Sequence, residues 1–190
     1  MKQAIGLCGR VYRKAMGGLC LLGALAAHTL PASGAETFVY AGKGQQTDVV
    51  AVGVRTPVLK SWVLESGGSF NLLGEAEVGV YHGRQSPALN RDIVELGLKP
   101  VLRWYPGQAA SWRPYVDAGI GVHLLSHTSI NEGRRFGTAF QFGEHVAVGM
   151  DFCAELRCSL ALRVEHVSNA TIKNPNDGLN IGSVFFGYRF

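Results

Sequence analysis

Between Arg91 and Arg103 the chain alternates so regularly that few folds can hold it. The even positions Val94, Leu96, Leu98, Pro100 and Leu102 are apolar, while the odd positions include Arg91, Glu95, Lys99 and Arg103. A period of two belongs to an extended strand, whose successive side chains point to opposite faces. The same split recurs along the chain. Leu72, Gly74, Ala76, Val78 and Val80 oppose Glu75, Glu77 and Tyr81. Val116, Ala118, Ile120, Val122 and Leu124 oppose Tyr115, Asp117 and His123, and Leu160, Leu162 and Val164 oppose Arg163 and Glu165. Cut at turn residues, the chain from Thr37 onward predicts eight strands, at about 37–44, 47–57, 69–83, 91–105, 113–125, 136–150, 157–168 and 179–190, with no helix. The connections then alternate between ends, with 58–68, 106–112 and 151–156 on one side and 84–90, 126–135 and 169–178 on the other.

Such faces suit a soluble sandwich, with the charged face in water, or a membrane barrel, with the apolar face in lipid. The barrel is favoured by three features: an N-terminal export signal, the length of the strands, and a last strand carrying Val184, Phe186, Tyr188 and Phe190 on one face. Closure also satisfies every backbone hydrogen bond in lipid without leaving an edge. The expected fold class is therefore all-β, an eight-stranded antiparallel transmembrane β-barrel. At that strand number the interior only has room for side chains. Glu75, Glu77, Glu95, Lys99, Arg103, Asp117, Arg163 and Glu165 are accordingly expected to pair inside as a charge network. Glu144 breaks the pattern, since it falls on the apolar face between Phe142 and Val146. A bulge or a local partner is expected there.

Residues 1–35 read as a secretory signal peptide that is removed, leaving 36–190 as the barrel domain. Lys2, Arg10, Arg13 and Lys14 form its positive start, Met16 to Ala27 a short apolar core, and Ser33-Gly34-Ala35 a small-residue cleavage site. The segment holds four of the eighteen basic and none of the fourteen acidic residues, which leaves fourteen of each in the mature chain. Without a basic excess there is no case for nucleic-acid binding. Of the four cysteines, only Cys153 and Cys158 remain after cleavage. In an oxidising compartment a disulfide closing the Asp151–Arg157 turn is favoured over a metal site, because two thiols are too few ligands and no others lie nearby. Neither a metal nor a cofactor is expected.

The stretch Arg163–Asn180, RVEHVSNATIKNPNDGLN, carries the candidate chemistry. His166 and Ser168 share the apolar face of Leu160, Leu162 and Val164, and a base and a hydroxyl are costly in such a place unless they serve a purpose. Beyond them Asn169 to Gly178 reads as a loop. With both chain ends in the periplasm, the 157–168 strand runs outward, so the pair is expected at the outer rim facing lipid.

His166-Val167-Ser168-Asn169-Ala170, followed by Ile172-Lys173-Asn174-Pro175-Asn176-Asp177-Gly178, resembles the lipid A 3-O-deacylase family of outer-membrane barrels. The resemblance is strongest over 163–180, with a weaker echo in Pro114 to Val122. It implies a serine-type ester hydrolase that removes the 3-hydroxyacyl chain from the 3-position of lipid A, with lipopolysaccharide as substrate and outer-membrane lipid as surroundings. It further implies that Ser168 is the nucleophile and His166 the general base, with Asn169 helping to stabilise the oxyanion. The family often has a Glu two residues after the loop glycine to orient the histidine, and Asn180 stands there instead. Parity places Asn180 beside His166, and Asp177 is the other group that could take the acid's part. Oligomeric state is left open, a homodimer included. The rival readings are a non-catalytic adhesin or envelope-stabilising barrel, and an outer-membrane phospholipase or acyltransferase.

Overall fold

A computed structural model describes residues 34–84, 88–107 and 111–190. Except for Gly34 and Ala35, the expected export signal lies outside these residues. The elements are β1 (Glu36–Gly44), β2 (Thr47–Arg55), β3 (Lys60–Val63), β4 (Ser69–Gly83), β5 (Asp92–Tyr105), β6 (Arg113–Leu125), β7 (Ser129–Asn131), β8 (Arg134–Arg135), β9 (Phe140–Phe152), β10 (Cys158–Ser168) and β11 (Leu179–Arg189). Eight long strands pair in the cyclic order β1-β2-β4-β5-β6-β9-β10-β11, and β11 returns to β1. Every pairing is antiparallel. The fold is thus a closed eight-stranded antiparallel barrel.

Three expectations need correction. The connection after β2 is shorter than 58–68, because Lys60–Val63 forms β3 and pairs with Ser69–Leu72 of β4, continuing the line of β2. Its backbone stays bonded across the gap through Thr56 N–H to Gly74 O (2.8 Å) and Leu59 N–H to Leu72 O (2.9 Å). The strand expected from 136 begins at Phe140, because Gly137 holds a left-handed φ of 70° and turns the chain. The preceding loop folds into a small β7–β8 hairpin. Finally, there is no bulge at Glu144. The β9 register is continuous with both neighbours, and Glu144 lies opposite Ile120 on β6 and His166 on β10.

The faces divide by the alternation in the sequence. Outside, Leu96, Leu98, Ile120, Val146, Val148, Leu162, Val164 and Val184 form an apolar band. Trp62, Trp104, Trp112, Tyr188 and Phe190 lie exposed at the end where β1 begins and β11 finishes. Phe70 stacks on Trp104 at 6.4 Å, and Tyr188 meets Phe190 edge-on at 5.5 Å. Such aromatic girdles suit the membrane–water boundary. Cys153 and Cys158 are disulfide-bonded across the turn at that end.

Inside, the charges find one another. Arg103 grips Asp117 with two bonds of 2.7 and 2.9 Å, and its guanidinium lies 3.7 Å from the Tyr115 ring centre. Lys99 reaches Glu165 at 2.6 Å, Glu77 at 2.8 Å and Glu75 at 3.5 Å. Arg163 bonds Glu75 at 2.9 Å, and Arg55 bonds the same carboxylate at 2.7 Å. His123 bonds Glu95. Glu36, Arg55, His145 and Asp151 belong to this interior as well, beyond the eight residues expected from the alternation.

Removing one member of a buried charge network leaves its partners uncompensated, at a cost of about 3–5 kcal/mol. Lys99→Met keeps much of the side-chain volume while depriving three carboxylates of a cation. The folded band on unboiled gels is expected to disappear at a clearly lower temperature, and Lys99→Met/Glu165→Gln should recover part of the loss. Unchanged thermal stability in Lys99→Met would mean that the network contributes little.

Candidate active site

The site is built at the Ser168 end of β10, opposite the end where Glu36 pairs with Arg189. Alternation carries Leu160, Leu162, Val164, His166 and Ser168 outward, with Arg163, Glu165 and Val167 inward. Residues i and i+2 of a strand are separated by roughly 7 Å. An imidazole can span that gap, so His166 and Ser168 can act as a pair. Both side chains are half-buried, and the Ser168 hydroxyl makes no hydrogen bond to another described residue.

β11 supplies the partner of the ring. Asn180 lies directly opposite His166, and its Oδ1 is 2.7 Å from His166 Nδ1. An amide oxygen can only accept, so Nδ1 carries the proton and Nε2 keeps the lone pair. That is the tautomer a base beside Ser168 requires. Asn180 is fixed in turn by its backbone N–H, which donates to Gln45 Oε1 of the β1–β2 turn at 2.9 Å.

The 169–178 loop closes over the rim by clasping the β7–β8 hairpin. Asp177 accepts the Arg135 N–H at 2.7 Å through its carboxylate and returns its own N–H to Arg135 O at 3.0 Å. Arg134 donates to Asp177 O and Gly178 O at 3.0 and 2.9 Å. Asp177 is therefore a loop clasp, with its carboxylate bound to the Arg135 N–H. Gly178 holds a φ of 61°, and a Cβ there would come within 3.1 Å of His166 Cε1. Both the conformation and the close approach to the ring call for glycine.

Asn169 does not meet the expectation placed on it. Its side-chain NH₂ donates to Phe136 O (2.6 Å) and Lys173 O (2.7 Å), and its backbone N–H donates to Asn176 Oδ1 (3.0 Å). With its donors committed and the residue fully buried, Asn169 anchors the two loops and has none free for an oxyanion. The next donors along the chain are the N–H groups of Ala170 and Thr171. Both residues hold left-handed φ values, 50° and 64°, and neither N–H bonds another described residue. Backbone held in this sparsely populated region clusters at functional sites.

Sequence reading missed the Arg134 clasp, the Gln45 bond and the place of Glu144 beside His166. Only Glu144 left a signal, as a carboxylate of the wrong parity. A cavity of about 230 Å³ lined by Glu36, Arg55, Tyr105, Arg113 and Arg189 lies at the far end of the barrel and has no part in this site.

An outer-membrane β-barrel with a histidine–serine pair on its lipid-facing rim is the class of protein that fold and site define. The chain belongs to the lipid A 3-O-deacylase (PagL) family, whose sequence profile matches residues 48–189. It is 34% identical to the lipid A deacylase PagL of Bordetella bronchiseptica over 169 residues, covering 86% of this chain and 88% of that protein. With the lipid A deacylase PagL of Pseudomonas aeruginosa it shares 29% identity over 88% of this chain and 94% of the other. A crystal structure of the outer-membrane enzyme PagL superposes with a TM-score of 0.71 at 24% identity, covering 82% of this chain and 99% of that one, and so shares the fold.

Proposed function

We propose that this barrel hydrolyses the ester-linked 3-hydroxyacyl chain at the 3-position of lipid A, taking its substrate sideways from the outer leaflet. The observation that carries the reading is the ordered imidazole. His166 is held by Asn180 in the tautomer that leaves Nε2 free, on the same outward face as Ser168, in a chain of the deacylase family. The site lies at the end of the barrel opposite the paired Glu36 and Arg189, which supports an active site at the outer leaflet. Residues 1–35 serve, in this reading, as the export signal.

Ser168 Oγ attacks the ester carbonyl carbon while His166 Nε2 takes its proton. Ala170 and Thr171 N–H groups are the donors available to the oxygen that becomes negative. Collapse of the tetrahedral intermediate breaks the bond to the sugar oxygen, which receives the proton from His166. Water then repeats the sequence on the acyl-serine and releases the 3-hydroxy acid.

Purified protein in detergent should release free 3-hydroxy acid from lipopolysaccharide and little fatty acid from glycerophospholipid. Release from glycerophospholipid alone would make the protein a phospholipase. Release from neither would favour an adhesin or envelope-stabilising barrel.

A further inference from the structure

We propose that Glu144 supplies the negative charge that Asn180 lacks, so that the two tasks of a triad acid are divided between the strands flanking His166. This rests on the reading of His166 as the general base. Along the outer face of β9 the neighbours of Glu144 are Phe140, Phe142, Val146, Val148 and Met150, all uncharged. A carboxylate on a lipid-facing strand is costly. Glu144 makes no ion pair or hydrogen bond with another described residue, so no structural role of that kind holds it there. Its place is defined by register: Glu144 lies directly across the β9–β10 pair from His166, as Asn180 does across the β10–β11 pair. Side chains directly opposite each other in antiparallel strands have Cβ atoms about 4.5–5.5 Å apart. A glutamate at that spacing can reach the imidazole edge.

Asn180 orients the ring but brings no charge to the imidazolium that forms when Ser168 gives up its proton. The other charged groups near His166 do not fill that need. Asp177 has its carboxylate on the Arg135 N–H, and Arg134 brings positive charge to Gly178 O at the loop end. Lys173 is an exposed cation on the same loop. From β6 the register brings Ile120, which is neutral. Among the described residues, Glu144 is thus the acidic group free to face the ring. It is not a station on the proton's path, which runs from Ser168 Oγ to His166 Nε2 and on to the sugar oxygen. Glu144 is a positioning residue that acts through His166.

The test is the pH profile of 3-hydroxy acid release from lipopolysaccharide by purified, folded variants. Glu144→Gln is expected to lower kcat about tenfold and to move the acid limb of kcat/KM to lower pH, because an imidazolium without its carboxylate loses its proton more readily. Glu144→Asp should restore both in large part. Glu144→Gln/Asn180→Glu should bring the limb back, since the charge returns on the other flank. An unshifted limb in Glu144→Gln, whatever its rate, would overturn the proposal, as would a double variant that stays shifted. Ser168→Ala measured alongside separates the two readings. If Ser168→Ala is as active as the wild type, the dyad itself fails, whereas an inactive Ser168→Ala beside an unaltered Glu144→Gln removes Glu144 alone.

Discussion

Ser168→Ala is expected to reduce ester hydrolysis by about 10⁴-fold or more, with the barrel intact. Without the hydroxyl there is no acyl-enzyme, and only binding and oxyanion stabilisation are left to accelerate attack by water. His166→Ala should cost about as much, because the serine is then not deprotonated as it attacks. The double variant should be hardly worse than either single one, since nucleophile and base act as a unit. The fold should tolerate these changes. Both side chains project from the outer face, away from the ion pairs that fill the interior. The check is the rate of 3-hydroxy acid release set against the folded band on unboiled gels. A Ser168→Ala rate within tenfold of the wild type would show that another group is the nucleophile.

Asn180→Ala is expected to have the next largest effect, a loss of about a hundredfold. In a serine protease, changing the triad acid to its amide costs about 10⁴, chiefly by imposing the wrong histidine tautomer. Here the amide oxygen already faces Nδ1 at 2.7 Å, so what Asn180→Ala removes is orientation, without a carboxylate's charge. Asn180→Glu should preserve or raise activity. Asp177→Asn should change little, because an amide oxygen can also accept the Arg135 N–H that the Asp177 carboxylate now holds. Rates of the purified variants decide between the two positions. A silent Asn180→Ala beside an Asp177→Asn as damaging as His166→Ala would transfer the orienting role to the loop.

Much of the barrel was legible because burial in a closed sheet repeats with the chain's own period. Val94, Leu96 and Leu98 face out and Glu95, Lys99 and Arg103 face in, a division set by the pleat alone. The neighbourhood of Asn180 and His166 was legible for the same reason, because one loop joins two strands of known parity. Other features depend on how distant segments meet. That Glu144 falls opposite His166 depends on the size of the 153–157 turn and the stagger of β9 against β10, and neither follows from side-chain polarity. Phe136 to Ala139 carry an apolar pattern that continues a strand, yet Gly137 turns left-handed where the Lys173 and Pro175 carbonyls crowd it. Asn169 misled for a related reason. A polar residue beside a nucleophile suggests oxyanion chemistry, but its donors are taken by carbonyl oxygens of Phe136 and Lys173 and by the Asn176 side chain.

Mass spectrometry of lipid A from a Gram-negative host expressing this chain tests Ser168-dependent deacylation most directly. With the wild-type protein, the lipid A should lose the mass of one 3-hydroxyacyl chain from the 3-position. With Ser168→Ala, equally abundant and folded in the outer membrane, the lipid A should be unchanged. Intact lipid A in the presence of the wild-type protein, or the same loss of mass with Ser168→Ala, would contradict it.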